Sequence, residues 1–422
     1  MYISLRDRPA AGEVRSRSTR VAPVVITLGM VSLLTDISSE SVSAILPIYL
    51  TSVLGLSAVA YGFIDGLYQG VSALVRVAAG VASDRSDRPK WVAFLGYGLS
   101  CVARVFLLFA GGAAAISGVV AADRIGKGIR TAPRDAMISA ATPTADLGYA
   151  FGVHRTLDTV GAAIGPLMAF AILFAIPDGY HTVMVASLAA AVIGVALIAL
   201  LVPDLRPGRR RAAEVGPETV PVPTAPKVRW RDIGDARLRR LLVVAGVLGL
   251  LTVGDGFIYL ALLDRSQFAA RWFPLMYVGT NIAYLLLAIP LGRLADRIGR
   301  ARVLILGHVA LLLAYVCAAV PLAGAGITIA ALVALGAFYA ATDGVIAAVA
   351  GRLVAPEVRA SGIASAQTVV AVARLISSTG FGLLWYSLGP QRALAVMGAA
   401  LLLVVPLAFT QVVRLDAQAE AT

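Results

Sequence analysis

The 422-residue chain is poor in cysteine, histidine and charge: it has two cysteines, three histidines and 14% charged residues. Cys101 and Cys317 each lie inside an apolar run without a CxxC spacing, so we expect free thiols rather than a disulfide framework. The dispersed histidines, His154, His181 and His308, provide neither a metal cluster nor a Ser/His/Asp arrangement in a loop. No phosphate-binding G-x-x-x-x-G-K-[ST] loop occurs either, which excludes ATP-driven pumping. We therefore expect no enzyme, no metal site and no cofactor.

The scarcity of charge indicates an integral membrane protein. Soluble domains carry about 25% charged residues, whereas this chain is 59% hydrophobic with a mean hydropathy of +0.84. Its apolar runs are long and continuous instead of alternating, which is typical of membrane-spanning helices rather than barrel strands. The net charge of +12 then reports membrane topology. Basic residues are not interleaved with aromatic ones, so we expect the lipid bilayer as a partner and no nucleic acid.

About twelve apolar segments can be laid out along the chain. They cover residues 22–50, 59–82, 90–111, 113–138, 147–175, 181–203, 241–263, 272–294, 302–321, 324–351, 360–386 and 391–413. A proline-rich, basic stretch separates the first six from the last six and reads as a solvated linker. The prediction is an all-α protein with a tail at 1–21, a six-helix bundle at 22–203, a linker at 204–240, a second bundle at 241–413 and a tail at 414–422.

The distribution of basic residues predicts the topology. Outside the interior of the spans, Lys and Arg fall in the tails, the linker and alternate loops, and the remaining loops hold only Arg265, Arg271 and Arg392. Because basic residues stay on the cytoplasmic side, we expect both termini in the cytoplasm and a location in the bacterial inner membrane. The N-terminus lacks the short apolar core of a signal peptide. The end of the linker, 230–240, is either an interfacial amphipathic helix or a plain tether.

One hydrophobic segment contains an unusual run of charge. Six charged residues lie between positions 121 and 136, and a helical period places Asp123, Lys127, Arg130 and Arg134 on one face. Charge at membrane depth is expensive unless it is paired or faces a water-filled cavity. A cytoplasmic loop with snorkelling arginines is the alternative, but the apolar lead-in is too short to span the bilayer alone. The stretch therefore predicts a fourth span that borders a watery passage.

The two halves repeat a motif after their second span. Residues 292–302 read G-R-L-A-D-R-I-G-R-A-R and residues 80–90 read G-V-A-S-D-R-S-D-R-P-K. The pattern G-x-x-x-D-R-x-G-R-x-R resembles the loop motif of the major facilitator superfamily, although Asp87 replaces a glycine and Pro89 a basic residue in the first copy. The resemblance implies twelve helices in two pseudo-symmetric six-helix bundles that rock about a central site. It also implies that these motifs close a cytoplasmic gate through Gly80, Asp84, Arg85, Gly292, Asp296, Arg297 and Arg300. A positive-inside anchor would explain the arginines but not the repeated Gly and Asp.

Two further motifs resemble those of the proton-coupled exporters in that superfamily. Residues 124–132 are similar to a fourth-helix R-x-x-Q-G-x-G-A-A pattern, with Lys127 for Gln and Arg130 for Gly. Gly152, Gly161, Gly165 and Pro166 are similar to the fifth-helix antiporter motif, with Ala169-Phe170 in place of its final glycine pair. The resemblance implies that Arg124 takes part in proton coupling and that the fifth helix bends at Gly161, Gly165 and Pro166. Close helix packing through small residues is the alternative for these glycines. G-K-G-I-R-T-A-P-R-D also resembles a branch described only as transporters, which gives no substrate.

Other polar residues in the spans are candidates for the transport pathway. Asp36 and Glu40 lie four residues apart and point the same way, so they can either exchange protons or neutralise the cations of span 4. Arg104 is expected to pair with a neighbouring acid. A local ion pair is expected to satisfy His154, Arg155 and Asp158, with His154 structural rather than proton-carrying. The predicted cavity set is Asp36, Glu40, Asp65, Arg124, Lys127, Arg130, His154, Arg155, Asp158, Asp255, Tyr259, Asn281 and Asp343.

Three functions remain open at this point. The first is a proton-coupled antiporter that uses the proton gradient to export a small organic molecule. We expect it to act as a monomer, with the proton sites in its first half and the substrate surface in its second half. The second is an exchanger of organic anions or phosphorylated metabolites, clamped by Arg124, Lys127, Arg130, Arg134 and Arg155. The third, a membrane-bound sensor or enzyme, would need an extra folded domain or a catalytic loop cluster, and the sequence has neither.

Overall fold

The computed structural model describes residues 21–86, 88–204, 236–354 and 359–420; side chains at 77–86, 144, 360 and 415–420 are outside the description. Within these ranges the chain is helical and forms twelve spans, two of them interrupted. The spans are α1 Pro23–Ile48, α2 Ala58–Ser86, α3 Pro89–Leu107, α4 Ala113–Ala140, α5 Leu147–Ala175, α6 Tyr180–Leu201, α7a Ala236–Leu250 with α7b Asp255–Ser266, α8 Phe273–Ile298, α9 Arg300–Ala319, α10a Ala325–Thr342 with α10b Val345–Arg352, α11 Arg359–Leu388 and α12 Pro390–Glu420. A π-helical turn, Tyr49–Val53, extends α1, and short 3-10 turns precede α5 and α8.

Length and composition explain why these helices suit a bilayer. Ten spans are long and apolar enough to cross a membrane, since about 20 residues are needed for its hydrocarbon core. The other two, α2 and α4, are 29 and 28 residues long but contain more charge. They pack against each other, α4 also packs on α3, and α2 packs on α11. The predicted all-helical, twelve-span membrane architecture is confirmed.

The two sets of six spans meet at one end of the bundle. We call the end where α1 begins and α12 finishes the tail end, and the opposite end the far end. At the far end the start of α2 packs on the last turns of α11, so closely that a side chain on Gly62 would overlap the backbone of Ser378. Aromatic contacts join the halves there as well: the ring centres of Tyr61 and Phe257 lie 4.6 Å apart, and those of Phe170 and Trp272 5.4 Å apart.

Two spans predicted as continuous are interrupted in the structure. Segment 241–263 divides into α7a and α7b around residues 251–254, and α7a already begins at Ala236. Segment 324–351 divides at Asp343 and Gly344, whose φ of +75° is a left-handed conformation that glycine adopts without strain. Hydropathy does not detect such breaks, because an interruption inside a protein core changes backbone geometry without adding charge.

The motif segments predicted as loops are largely helical. Gly80, Asp84 and Arg85 lie in the final turns of α2, and Asp296 and Arg297 in the last turn of α8. A single glycine, Gly299 with φ +94°, connects α8 to α9, which begins at Arg300. The predicted linker and tails fall mostly outside the described residues, namely 1–20, 205–235 and 421–422, while α12 continues to Glu420.

Candidate functional site

The charged residues of α4 form a buried ionic cluster with α3. The carboxylate of Asp123 uses one oxygen for Arg104, at 3.2 Å, and the other for Arg124, whose Nε lies 2.9 Å away. All three side chains are at least 94% buried. Arg124 also places its guanidinium 3.8 Å from the ring centre of Tyr68, a cation–π contact that partly replaces lost hydration. The predicted pairing of Arg104 is confirmed, and its partner is Asp123.

A second group of ion pairs joins α4 to α1 and α5. Lys127 Nζ lies 3.9 Å from Glu40 Oε1, with both side chains about 30% exposed. Arg134 hydrogen-bonds Ser32 at 3.2 Å and Asp135 at 3.0 Å, and lies 3.9 Å from Asp158. The structure thus favours ion pairing for Glu40. Arg124, in contrast, is neutralised by the adjacent Asp123 and not by span 1.

The carboxyl groups of Asp36 on α1 and Asp158 on α5 are close enough to interact electrostatically. Asp36 is 9% exposed. Arg155 closes the other side of Asp158 at 3.0 Å, so the predicted local pair of these two residues is confirmed. The 73% exposure of the Arg155 side chain makes that pair weak.

In the first half, one buried arginine and one buried histidine lack full hydrogen bonding within the described chain. Arg130 is 3% exposed, stacks on Tyr97 at 4.7 Å and leaves its Nη1 without a partner. His154 is 3% exposed, and neither ring nitrogen has a partner. The expectation that a local ion pair satisfies His154 is therefore wrong, because neither ring nitrogen hydrogen-bonds Asp158 or any other described residue.

The interruption in span 7 is held by side chains from neighbouring helices. The Tyr315 hydroxyl accepts a hydrogen bond from Val253 N at 2.8 Å and donates one to Leu251 O at 2.7 Å. Ser377 on α11 donates to Thr252 O at 3.0 Å. Unpaired backbone groups are very costly at membrane depth, so these bonds allow a non-helical segment there. Interrupted helices are typical of binding sites in secondary transporters.

Next to this interruption lies a cavity of about 340 Å³. Its wall contains apolar residues of α7a and α11 and a polar set: Gln69, Thr252, His308, Tyr339, Thr342, Asp343, Gln367 and Arg374. The volume is at the lower end of the range for small-molecule pockets, about 300–1,000 Å³. Both interrupted spans contribute to this wall, on the tail-end side of the contact between the halves.

Two carboxylates, one from each half, hydrogen-bond residues that line the cavity. Asp65 accepts hydrogen bonds from Ser378 and Gln69, and its Oδ2 lies against Gly254, where any side chain would overlap it. Asp255, the first residue of α7b, accepts a hydrogen bond from the Tyr339 hydroxyl at 2.8 Å. Each carboxylate is therefore tied to neighbouring polar groups, and Asp65 links α2 to α11 across the two halves.

The remaining predicted residues of the second half occupy different environments. Asp343 is exposed, lines the cavity and receives a long hydrogen bond of 3.4 Å from Tyr284. Tyr259 is fully buried in a helix contact, where it hydrogen-bonds Thr280 at 2.7 Å. Asn281 is exposed and belongs to none of the described cavities. Asp343 thus lines the cavity, whereas the ring of Tyr259 packs on aromatic neighbours; a part in transport stays a prediction for each of these residues.

The glycines of the antiporter-like motif divide into two kinds. Gly161 packs directly on the backbone of Leu33, and a Cβ on Gly165 would lie 2.8 Å from the Ser41 nitrogen. Gly152 has open space around it. The interpretation as close packing thus holds for Gly161 and Gly165, which bring α5 against α1 and so bring Asp158 to Asp36. Pro166 lies inside the unbroken helix α5.

The motif residues at the tail end are only partly described. For Gly80, Asp84 and Arg85 the structure gives backbone alone. In the second half, Asp296, Arg297 and Arg300 line a separate polar cavity of about 380 Å³ together with Arg302 and Arg352. A gating role for these residues stays a prediction.

Some residues of the site lie outside the predicted cavity set. Asp123, Gln69 and Arg374 stand out in the sequence as polar residues inside spans 4, 2 and 11, and they belong to the ionic cluster or line the cavity. Gln367, which lines the cavity, and Ser378, which bonds Asp65, were not predicted, because a glutamine or a serine gives no signal in one sequence. Within the described residues no group of three or more potential metal ligands comes together.

A buried ionic cluster, a cavity beside two interrupted helices and two six-span halves in contact at one end define a polytopic membrane transporter. Comparison with known proteins gives the family. The model for the Major Facilitator Superfamily matches residues 28–280 and 266–421. The chain is 31% identical over 405 residues to an uncharacterized MFS-type transporter of Methanocaldococcus jannaschii, covering 90% of this chain and 94% of that one. This protein therefore belongs to the major facilitator superfamily.

Solved structures support the same fold. A nucleoside transporter, NupG, superimposes with a TM-score of 0.79 at 14% identity, covering 92% of this chain and 99% of that one. A peptide transporter of the POT type superimposes with a TM-score of 0.74 at 14% identity, covering 93% and 95%. Likeness at this identity concerns the fold alone. The chain is thus a multi-pass membrane transporter of this superfamily.

Proposed function

We propose that this transporter is a proton-coupled antiporter that exports a small organic molecule by alternating access. The observation that carries the proposal is the close approach of α5 to α1 at Gly161 and Gly165, which makes the carboxyl groups of Asp36 and Asp158 neighbours. Two neighbouring carboxyl groups can form a hydrogen bond with each other only when one of them carries a proton, because an ionised carboxylate has no hydrogen to donate. The pair lies in the first half, separate from the cavity beside span 7.

The surroundings of this pair can couple its proton to movement. Arg134 lies 3.9 Å from Asp158, and Lys127 interacts electrostatically with Asp36 while pairing with Glu40. A nearby cation favours the ionised form of a carboxyl group. A shift of α4 relative to α1 and α5 would change these distances and thereby release or capture the proton. Linkage of this kind converts conformation into proton exchange.

Infrared spectroscopy of the purified protein tests the proton site without a substrate. A protonated carboxyl group has a C=O stretch that an ionised one lacks, and we expect this band from the Asp36–Asp158 pair. It should disappear in Asp36→Asn and in Asp158→Asn. The exposed Asp264 provides a matched control, since Asp264→Asn should leave the band unchanged. A spectrum without the band, or a band that survives both substitutions, contradicts a shared proton.

Transport in proteoliposomes tests the coupling. The transported compound is chosen as one that stabilises the purified protein. Its transport should be faster when the proton concentration is higher on the side of the membrane that receives it, because protons then flow in the opposite direction. Asp158→Asn should remove this dependence. Transport of such a compound that is indifferent to an imposed pH gradient would contradict the antiporter.

An anion exchanger that uses the α4 cations is the second candidate, and the unpartnered Nη1 of Arg130 is the observation that favours it. Its neighbours are less available, because Arg124, Lys127 and Arg134 are each paired with an acid. Replacement of Lys127 and Arg130 by glutamine separates the candidates. Loss of binding favours the anion site, whereas loss of coupling with binding retained favours the antiporter.

We further propose a monomer in the bacterial inner membrane with both termini in the cytoplasm and no cofactor besides the proton gradient. The support is the concentration of arginine and lysine at the tail end, against Arg265, Arg271 and Arg392 at the far end. An alkaline phosphatase fused to the C-terminus should be inactive, because this enzyme needs the oxidising periplasm. An active fusion would reverse the topology.

A further inference from the structure

The cavity beside the interrupted helices contains one cation whose hydrogen-bonding capacity is not used. Arg374 lines the cavity from α11. Its Nε is buried and has no hydrogen-bond partner within the described chain. A guanidinium has five N–H donors in a planar fork, and leaving a buried donor unsatisfied costs about 1–3 kcal/mol. Arg374 therefore has donors available for a group that enters the cavity.

Two acids that interact with Arg374 are committed to other partners. Asp65 and Asp255 are close enough for electrostatic interaction with it. Neither forms an ion pair with it within 4 Å among the described residues: Asp65 is held by Ser378 and Gln69, and Asp255 by Tyr339. These interactions hold the guanidinium in place without occupying its fork.

The cavity also contains an available anionic group. Asp343 is exposed and lines it, and among the described side chains only the Tyr284 hydroxyl hydrogen-bonds its carboxylate, at 3.4 Å. The other polar lining residues are neutral glutamines, threonines and a tyrosine, together with His308, whose Nδ1 is bonded to Leu304 O at 2.8 Å. A purely anionic ligand would be attracted by Arg374 but repelled by the carboxylates around it. A purely cationic ligand would be attracted by these carboxylates but repelled by Arg374.

We propose that this cavity binds a zwitterionic small molecule, with a carboxylate on Arg374 and an amine on Asp343. An arginine fork matches a carboxylate with two parallel hydrogen bonds, and an ammonium group gives the exposed carboxylate three donors. A volume of about 340 Å³ suits a molecule of amino-acid size. Gln69 and Gln367, on different halves, provide neutral hydrogen bonds along its body. The inference concerns the substrate of the transporter proposed above and rests on that function.

Thermal-shift measurements on the purified full-length protein in detergent test the proposal. The probes are the ω-amino carboxylates from glycine to 6-aminohexanoate, each compared with the carboxylate and the amine of the same chain length. At least one zwitterion should stabilise the protein more than both of its single-charge analogues. Its apparent Kd should weaken roughly 10- to 100-fold in Arg374→Gln and in Asp343→Asn. Arg374→Lys, which keeps the charge but loses the fork, should show a smaller loss.

Controls separate binding from folding. Arg392→Gln changes an exposed arginine at the far end and should bind like the unmodified protein. The unliganded melting temperature of each variant checks that it is folded. The proposal is overturned if no zwitterion of the series stabilises the protein, if Arg374→Gln binds it unchanged, or if the simple carboxylate binds as well. Because the binding assay uses no gradient, a failure of proton coupling leaves this result standing, and the reverse also holds.

Discussion

Replacement of Asp123 by asparagine should destabilise the protein more than any other single removal of charge in the first half. This carboxylate is shared: one oxygen binds Arg104 at 3.2 Å and the other binds Arg124. With the acid neutralised, two cations that are at least 94% buried would face each other without a counter-charge. Removal of one partner from a buried ion pair costs about 3–5 kcal/mol. We expect Asp123→Asn to reach at least that range, because it leaves two partners unpaired.

Chemical unfolding in detergent micelles, followed by exposure of the Cys101 and Cys317 thiols, measures this free energy. Asp264→Asn, at an exposed site, is the matched control and should change stability by no more than about 0.5 kcal/mol. A loss below about 1 kcal/mol for Asp123→Asn would refute the reasoning, since it would mean that the arginines are solvated and not buried.

A triple replacement distinguishes stability from function at the same place. Arg104→Met, Asp123→Leu and Arg124→Met together remove the whole buried charge cluster. Apolar replacement of complete buried ion pairs is often neutral or stabilising by about 1–4 kcal/mol. We therefore expect the triple variant to unfold at higher denaturant than Asp123→Asn but to lack proton-coupled transport. Coupled transport at the normal rate in this variant would exclude the cluster from the mechanism.

Further predictions concern the backbone contacts that shape the site. Gly161→Ala should destabilise the protein by about 1–3 kcal/mol, because the new Cβ would overlap the Leu33 backbone. Gly152→Ala, in open space, is the control and should be neutral or slightly stabilising. Equal effects of the two substitutions in unfolding experiments would contradict the packing. Tyr315→Phe leaves Val253 N and Leu251 O unpaired at the span 7 interruption and should cost about 1–3 kcal/mol. Proteolysis at that interruption would increase in this variant, and unchanged stability would indicate other partners for the two backbone groups.

The number of spans followed from the sequence because each helix must satisfy its own backbone inside a membrane. Apolar length therefore marks most spans locally, as the match between segment 181–203 and α6 at Tyr180–Leu201 illustrates. The interruptions at 251–254 and 343–344 had no such signal, since the groups that complete them, such as Tyr315 and Ser377, come from other helices.

The sequence predicted that the site contains buried charged groups, but for most of them it did not predict which residues pair with each other. Helical period placed the cations of α4 together, and the expense of charge in a bilayer required partners for them. Which partner each cation received was decided by the packing of helices distant in sequence: Gly161 and Gly165 let α5 approach α1 and thus join Asp158 to Asp36. Local spacing had instead suggested that Asp158 satisfies His154, whose ring nitrogens are in fact unpaired.

The sequence alone determined that this chain spans a membrane in two repeated halves with charge inside, because hydrophobic length and the cost of buried charge act on each segment separately. Only the tertiary structure decided that Asp123 is shared by two arginines, that spans 7 and 10 are interrupted, and that Arg374 faces a cavity with its fork unoccupied. These features depend on distances between residues up to 313 positions apart, as between Asp65 and Ser378. Distances of that kind are fixed by packing and leave no periodicity in the chain.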